Sequence, residues 1–265
     1  MKYALHTAAA LLSALLISGC GKDAQDNHIK VGAIAGTEAQ VVEVAKQVAK
    51  EKFGLEVEIV SFSDYVTPNV ALNDGSIDVN AFQHKPYLDS QIKDRGYKLA
   101  AVGNTFVYPI AGYSKKIKTI AELKEGSQIA VPNDPTNLGR SLLLLQKQGI
   151  IQLKADVGLN GTVLDIVGNP KQVKIVELEA AQLPRSLDDV DLAIINTTYA
   201  SQIDLLPTRD GLFVEDKDSP YVNLVVARED NKDAEKVKQF VQAYQSDEVY
   251  KAAQELFKGG VVKGW

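Results

Sequence analysis

Ile77-Asp78-Val79-Asn80-Ala81-Phe82-Gln83-His84-Lys85-Pro86-Tyr87-Leu88 changes character halfway along. Its first five residues alternate, with Ile77, Val79 and Ala81 on one face, the period of a strand. Pro86 suits the first turn of a helix, where an N–H would have no intrahelical partner. Tyr87 to Arg95 can continue that helix as far as Gly96. Phe82, His84 and Tyr87 therefore gather at the carboxyl end of a strand, where open α/β sheets bind ligands. Core is the usual fate of single aromatic residues, but two rings flanking an imidazole at one strand end fit a pocket wall better.

Upstream, the same alternation repeats. His28 to Ile34 reads as a strand, and Gly36-Thr37 opens a helix with Thr37 as its cap and Glu38 favouring the positive N-terminal end. Val41, Val44, Ala45 and Val48 share a helical face, and Gly54 ends it. Leu55 to Phe62 is the next strand, which leaves Tyr65 at another strand end comparable to Phe82. Pro68 to Leu72 is a short helix, and Lys98 to Val102 follows the aromatic stretch as a fourth strand. Such β-α-β-α alternation predicts a largely parallel sheet with helices on both faces. Gly32 and Gly36 lack both the three-glycine dinucleotide pattern and the Lys-Ser/Thr of a phosphate loop.

Downstream, Phe106 to Tyr113 reads as a strand leaving this unit, with the crossing near Gly112. A second alternation follows: a short helix at Ile120 to Lys124, a strand at Gln128 to Val131, a loop at 132–137, a Leu-rich helix from Leu138 to Gln148, and strands at Val173 to Leu178 and Asp191 to Ile195. Tyr221 to Ala227 would return to the first unit, and amphipathic helices at Asp233 to Tyr244 and Asp247 to Phe257 finish the chain. The expected architecture is α/β with two lobes, each a mostly parallel sheet flanked by helices, joined by two crossover segments. Lobe 1 takes residues 29–111 and 222–265 and lobe 2 takes 112–221. Two crossings imply a hinge, with ligand held between the lobes.

The second lobe supplies polar candidates. Arg140 falls in the first turn of the Leu138 helix, and a guanidinium fork beside helix N–H groups suits a carboxylate. The alternative is a surface arginine paired with Asp134. Asn137 lies one turn earlier, where its amide can cap the helix or face a ligand. Asn196 ends a strand, and Asn223 interrupts the apolar run Val222 to Val226. A buried amide left unsatisfied costs roughly 1–3 kcal/mol, so Asn223 meets either a backbone group or a ligand. The implied ligand has a carboxylate, a polar or cationic group, and an apolar or polarisable tail among Tyr65, Phe82, His84 and Tyr87. A thioether fits, since sulfur at ring edges gains roughly 0.3–1.5 kcal/mol.

The chain opens with one lysine, an apolar run from Ala8 to Ile17 and then Ser18-Gly19-Cys20. That is a secretory leader over residues 1–19, too short to span a bilayer. Small residues before the chain's single cysteine resemble a bacterial lipobox, with Cys20 lipidated. Residues 20–28 are polar and unpatterned, as in a tether. With Cys20 acylated, no thiol remains for disulfides or Cys-ligated zinc. The net charge of −5 comes with scattered basic residues and no basic stripe, against a nucleic-acid partner.

Longer motifs carry a family resemblance: Asp78 to Tyr87, Asn104 to Pro109, Pro132 to Arg140, Ile195 to Ala200 and Ser219 to Asn223, together with Ile17 to Cys20. Across essentially the whole chain it resembles the methionine-binding lipoproteins of the NlpA family, substrate-binding components of ABC importers. The resemblance implies a two-lobed periplasmic-binding fold that binds methionine without metal or cofactor. It implies that Tyr65, Phe82, His84 and Tyr87 line the side-chain pocket, that Arg140 holds the carboxylate, and that Asn137, Asn196 and Asn223 hold the polar head. The implied partners are a membrane permease and its cytoplasmic ATPase. The implied location is the bacterial envelope, with the body in the periplasm and a lipid anchor on Cys20, the inner membrane favoured. Three rivals stand beside it. An enzyme would use His84 as general base, oriented by Asp64 or Asp78, yet no Gly-x-Ser-x-Gly or His-Glu-x-x-His motif is present. A metal-capture protein would need more than His28 and His84 in the mature chain. A sibling binder of another small amino acid or a short peptide fits the same residues.

Overall fold

The structure, a computed structural model, describes residues 27–265. The leader, Cys20 and the tether up to Asp26 lie outside the described residues. The first run is β1 (His28–Ile34), α1 (Thr37–Phe53), β2 (Glu56–Phe62), α2 (Thr67–Asn73), β3 (Val79–His84), α3 (Lys85–Arg95) and β4 (Leu99–Val107). The second is β5 (Ala111–Tyr113), β6 (Gln128–Pro132), α4 (Pro135–Lys147), β7 (Gln152–Leu153), β8 (Ile166–Gly168), β9 (Lys174–Leu178), α5 (Leu183–Ser186), β10 (Leu192–Ile195), α6 (Thr197–Ala200), α7 (Pro207–Asp210) and β11 (Phe213–Val214). The chain ends with β12 (Val222–Arg228), α8 (Glu235–Tyr244), α9 (Asp247–Leu256) and β13 (Val262–Lys263).

Two main sheets result, ordered β13-β4-β12-β3-β1-β2 and β11-β5-β10-β6-β9, while β7 and β8 pair with each other. In the first, β1 to β4 run one way and β12 and β13 the other. In the second, only β5 opposes the rest. The expected mostly parallel sheets are therefore mixed at defined places. Of the reversed strands, β5 and β12 directly follow the two crossings, Tyr108 to Ile110 and residues 215–221, and β13 ends the chain.

Each sheet has its own core. Val41, Ala45 and Val48 of α1 pack with Ile29, Val31, Phe240 and Val249, while Leu142 and Leu145 of α4 pack with Ile129, Val131 and Ile194. A third cluster joins the sheets, bringing Ile34, Phe82 and Tyr87 against Ala111, Ile195 and Tyr199. It puts apolar surface between the lobes and positions the site there.

Several local expectations are corrected. His28, read both as the end of the tether and as the start of a strand, belongs to the strand: it pairs with Glu56 as the first residue of β1. Gly36, not Thr37, is the N-cap of α1; it sits at φ 103° and gives no side-chain cap. Helix α4 starts at Pro135 with Asp134 as its cap, which moves Arg140 out of the first turn. The run from Phe106 to Tyr113 is broken: β4 continues through Val107, and Pro109, which has no N–H for a ladder, falls in the gap before β5. Gly112 lies inside β5, where a Cβ would stand 2.3 Å from the Phe213 ring. The short elements β7, β8, β11, β13 and α7 had no counterpart in the sequence reading.

Candidate ligand-binding site

Strand β3 extends to His84, so Phe82 and His84 are the last turns of the ladder rather than residues beyond it. Its register with β12 slips where Leu224 faces Gln83 and Val225 faces Ala81, leaving Phe82 as the extra residue of a β-bulge. Bulges re-aim a side chain next to a site. The bulged Phe82 carbonyl accepts from Asn223 Nδ2 at 2.9 Å, and Asn223 pairs opposite His84. A backbone group therefore satisfies one half of the Asn223 amide. Its Oδ1 makes no hydrogen bond among the described residues.

One cavity lies between the lobes and is lined by all eight expected residues: Tyr65, Phe82, His84, Tyr87, Asn137, Arg140, Asn196 and Asn223. Its apolar wall is a ring cluster. Tyr65 lies 5.8 Å from Phe82 and 4.9 Å from Tyr199 between centroids, and Phe82 meets Tyr87 edge-on at 6.1 Å. The Tyr87 hydroxyl donates to the Tyr65 carbonyl at 2.8 Å, which ties α3 to the loop after β2. Tyr65 and Tyr87 also line a wider cleft, so these rings stand between the cavity and the cleft.

The polar wall can be oriented atom by atom. Asp134 caps α4 by accepting from Asn137 N–H, and its other oxygen accepts from Asn137 Nδ2 at 2.8 Å. A carboxylate only accepts, so Asn137 Oδ1 must face the other way. It accepts from Asn196 Nδ2 at 2.8 Å and from His84 Nε2 at 3.3 Å. This leaves Asn196 Oδ1 buried and without a partner. His84 Nδ1 accepts the Tyr87 N–H at 3.1 Å as cap of α3, which sets the tautomer with the proton on Nε2. Burial, with Arg140's charge adding to it, pushes the imidazole down to about 3. His84 is a neutral donor with both nitrogens engaged. Asp64 is occupied with the Val66 and Thr67 N–H groups, and Asp78 with Lys30 N–H and the Lys236 ammonium. Neither orients His84, and the general-base reading loses its geometry.

Arg140 is buried and does not pair with Asp134. Its Nε donates to Glu215 Oε1 at 2.8 Å, and Nη2 donates to Glu215 Oε2 and, at 3.0 Å, to the Tyr108 carbonyl. The Tyr221 ring lies 4.3 Å from the guanidinium carbon. Nη1 makes no hydrogen bond among the described residues. The fork is thus locked from the crossing segment on one side, with a single nitrogen over for a guest. An unpartnered guanidinium nitrogen and two unpartnered amide oxygens offer one donor to an anion and two acceptors to a cation.

Five lining or adjoining residues were missed. Gln83, Tyr108, Thr197 and Thr198 line the cavity, and Tyr199 belongs to the ring cluster. Behind them lies Glu38, read from sequence as a helix-dipole residue but buried. Its Oε1 accepts from Asn223 Nδ2 at 3.3 Å, its Oε2 lies 3.4 Å from Thr198 Oγ1, and burial raises its carboxyl to about 8. The strand-end rule that singled out Tyr65 and Phe82 applies equally to Glu38, which follows β1. Among the described residues no cluster of three His, Cys, Asp or Glu could hold a metal.

The folded chain has close relatives. It is 73% identical to the "D-methionine-binding lipoprotein MetQ" of Salmonella typhimurium over 259 residues, covering 97% of this chain and 96% of the relative. A crystal structure of the methionine-binding protein MetQ superposes with a TM-score of 0.90 at 74% identity, covering 91% of this chain and 99% of the other. A nutrient-binding protein from Burkholderia cenocepacia bound to methionine gives a TM-score of 0.88 at 53% identity, covering 89% and 100%. The model of the NlpA lipoprotein family matches residues 29–265. That match runs unbroken from β1 to the last residue and takes in both sheets, both crossings and every residue of the cavity, so the chain belongs to the NlpA lipoprotein family.

Proposed function

We propose that the protein binds methionine between its lobes and delivers it to an ABC-type importer. The observation that carries this reading is the pairing of polar and apolar walls in one cavity. Arg140 Nη1 takes the carboxylate, Asn196 and Asn223 Oδ1 take the α-ammonium, and Asn137 holds both asparagine and histidine partners in place. The thioether tail lies among Tyr65, Phe82, His84 and Tyr87. The methionine-bound relative and the MetQ names support the choice of side chain. Binding, not turnover, is the activity, and it requires no cofactor. A permease in the membrane and its cytoplasmic ATPase receive the ligand. Cys20 carries the lipid that keeps the body beside the inner membrane, facing the periplasm.

The test exploits composition. The only methionine in the chain is Met1, which leaves with the leader. Protein expressed from Gly21 onward, purified and denatured, is expected to release free methionine in near-stoichiometric amount by mass spectrometry, and titration with each enantiomer then gives the preference. A different released molecule would overturn the substrate.

A further inference from the structure

Among the described residues, Glu38 is the one buried acid near the cavity that lacks a cation. Arg140 is already neutralised by Glu215, and among the described residues no Lys, Arg or His pairs with Glu38. Its two hydrogen-bond partners come from different lobes, Asn223 on β12 and Thr198 on α6, and both of them line the cavity. The titratable groups on which its charge acts are Tyr65, Tyr108, Tyr199 and Tyr244. Burial raises every one of these phenols, so all stay neutral and none offers compensating charge. A carboxylate there has nothing to balance it.

We propose that Glu38 is the proton-bearing counter-group of the site: neutral in the unliganded protein, it gives its proton to solvent when an α-ammonium enters beside Asn223, and so sets the pH range of binding. This rests on the amino-acid reading above. Before binding, Oε1 accepts from Asn223, so the proton sits on Oε2 and is donated to Thr198 Oγ1. Afterwards the Thr198 hydroxyl turns to donate to Oε2, as a hydroxyl can do either. No bond other than O–H breaks, and the ammonium keeps its own protons. The ammonium lies one side chain away from the carboxylate, in a medium of low dielectric, and favours the charged form. The raised carboxyl is consistent with a proton held near neutral pH.

The experiment is isothermal titration of ligand-stripped protein with each methionine enantiomer, at about pH 7 in two buffers of different ionisation enthalpy, and then across pH. Wild type is expected to release close to one proton per ligand, with affinity rising about tenfold per pH unit from about pH 6 to 7.5 and levelling above about pH 8. Glu38→Gln is expected to release none and to show a flat profile over that range. Equal heats in both buffers and a flat wild-type profile would overturn the inference while leaving the methionine reading intact. A wild-type protein that binds neither enantiomer overturns both. Should the variant fail to fold, the wild-type buffer comparison decides alone.

Discussion

Asn223 would, on the proposed reading, serve chain and guest with one amide. Its Nδ2 holds the bulged Phe82 carbonyl, and its Oδ1 has no hydrogen-bond partner among the described residues. Asn223→Ala removes both and is expected to weaken methionine binding more than about tenfold, equivalent to about 1.4 kcal/mol, while the protein still unfolds cooperatively. Titration and a thermal melt check the two halves. Arg140→Ala is expected to cost more on both counts. Binding loses its charge-assisted donor, and Glu215 is left at 13% side-chain exposure without its cation. The stability loss is expected near 3 kcal/mol, the low end for breaking a buried pair, by denaturant unfolding. Retained affinity in this variant would place the carboxylate contact elsewhere.

Helix α4 carries two site residues and is seated by the glycine between them. A Cβ on Gly139 would lie 2.1 Å from the Leu159 carbonyl oxygen and 2.9 Å from the Gly161 nitrogen. Both are backbone atoms, which cannot swing aside. Alanine in a helix interior normally gains roughly 0.8–1 kcal/mol over glycine. Here the sign reverses, because α4 must lift off the 158–161 turn. Gly139→Ala is expected to lower stability by about 1–3 kcal/mol, the usual cost of overpacking. It is also expected to weaken methionine binding, since Asn137 and Arg140 move with the helix. A melt showing increased stability would contradict the close approach. The bulge in β3 works in the same way on the other wall: one inserted residue turns the Phe82 ring and exposes a carbonyl for Asn223.

The two lobes are joined covalently at two crossings and otherwise by few polar links. Gln202 Nε2 donates to the Ala35 carbonyl at 2.7 Å, the Tyr199 hydroxyl to Ser63 at 3.3 Å, and His84 Nε2 to Asn137 at 3.3 Å, while Thr198 Oγ1 meets Glu38 Oε2 at 3.4 Å. The second crossing is clamped to α4 by Arg140–Glu215 and Lys147–Asp216, so it belongs mechanically to the second lobe. A ligand gripped by both lobes favours the closed arrangement over an open one, by its difference in affinity for the two. Methionine is expected to reduce the radius of gyration in small-angle scattering of ligand-stripped protein. An unchanged value at saturating methionine would argue against closure.

Alternation, glycine and proline punctuation, and amphipathic spacing were enough in sequence to draw two α/β lobes with a return strand. They also placed Tyr65, Phe82, His84 and Tyr87 at strand ends, because strand and helix periods are local properties of the chain. The partners were not local. Arg140 meets Glu215 at 75 residues' separation, and Glu38 meets Asn223 at 185. Nothing in the spacing of Glu38 within its helix separates a dipole residue from a buried acid. That distinction arises only when β12 and α6 close over it and exclude water. The start of α4 lies three residues before the expected one because Pro135 reads equally as loop or as first helical turn; the Asp134 cap that decides it acts only three residues along, on the Asn137 N–H, and so was a local signal. The chain's local chemistry determined the elements and the wall of rings. Packing between lobes decided which polar atoms were spent on the protein and which were left for a ligand, since burial and long-range hydrogen bonding exist only in the folded molecule.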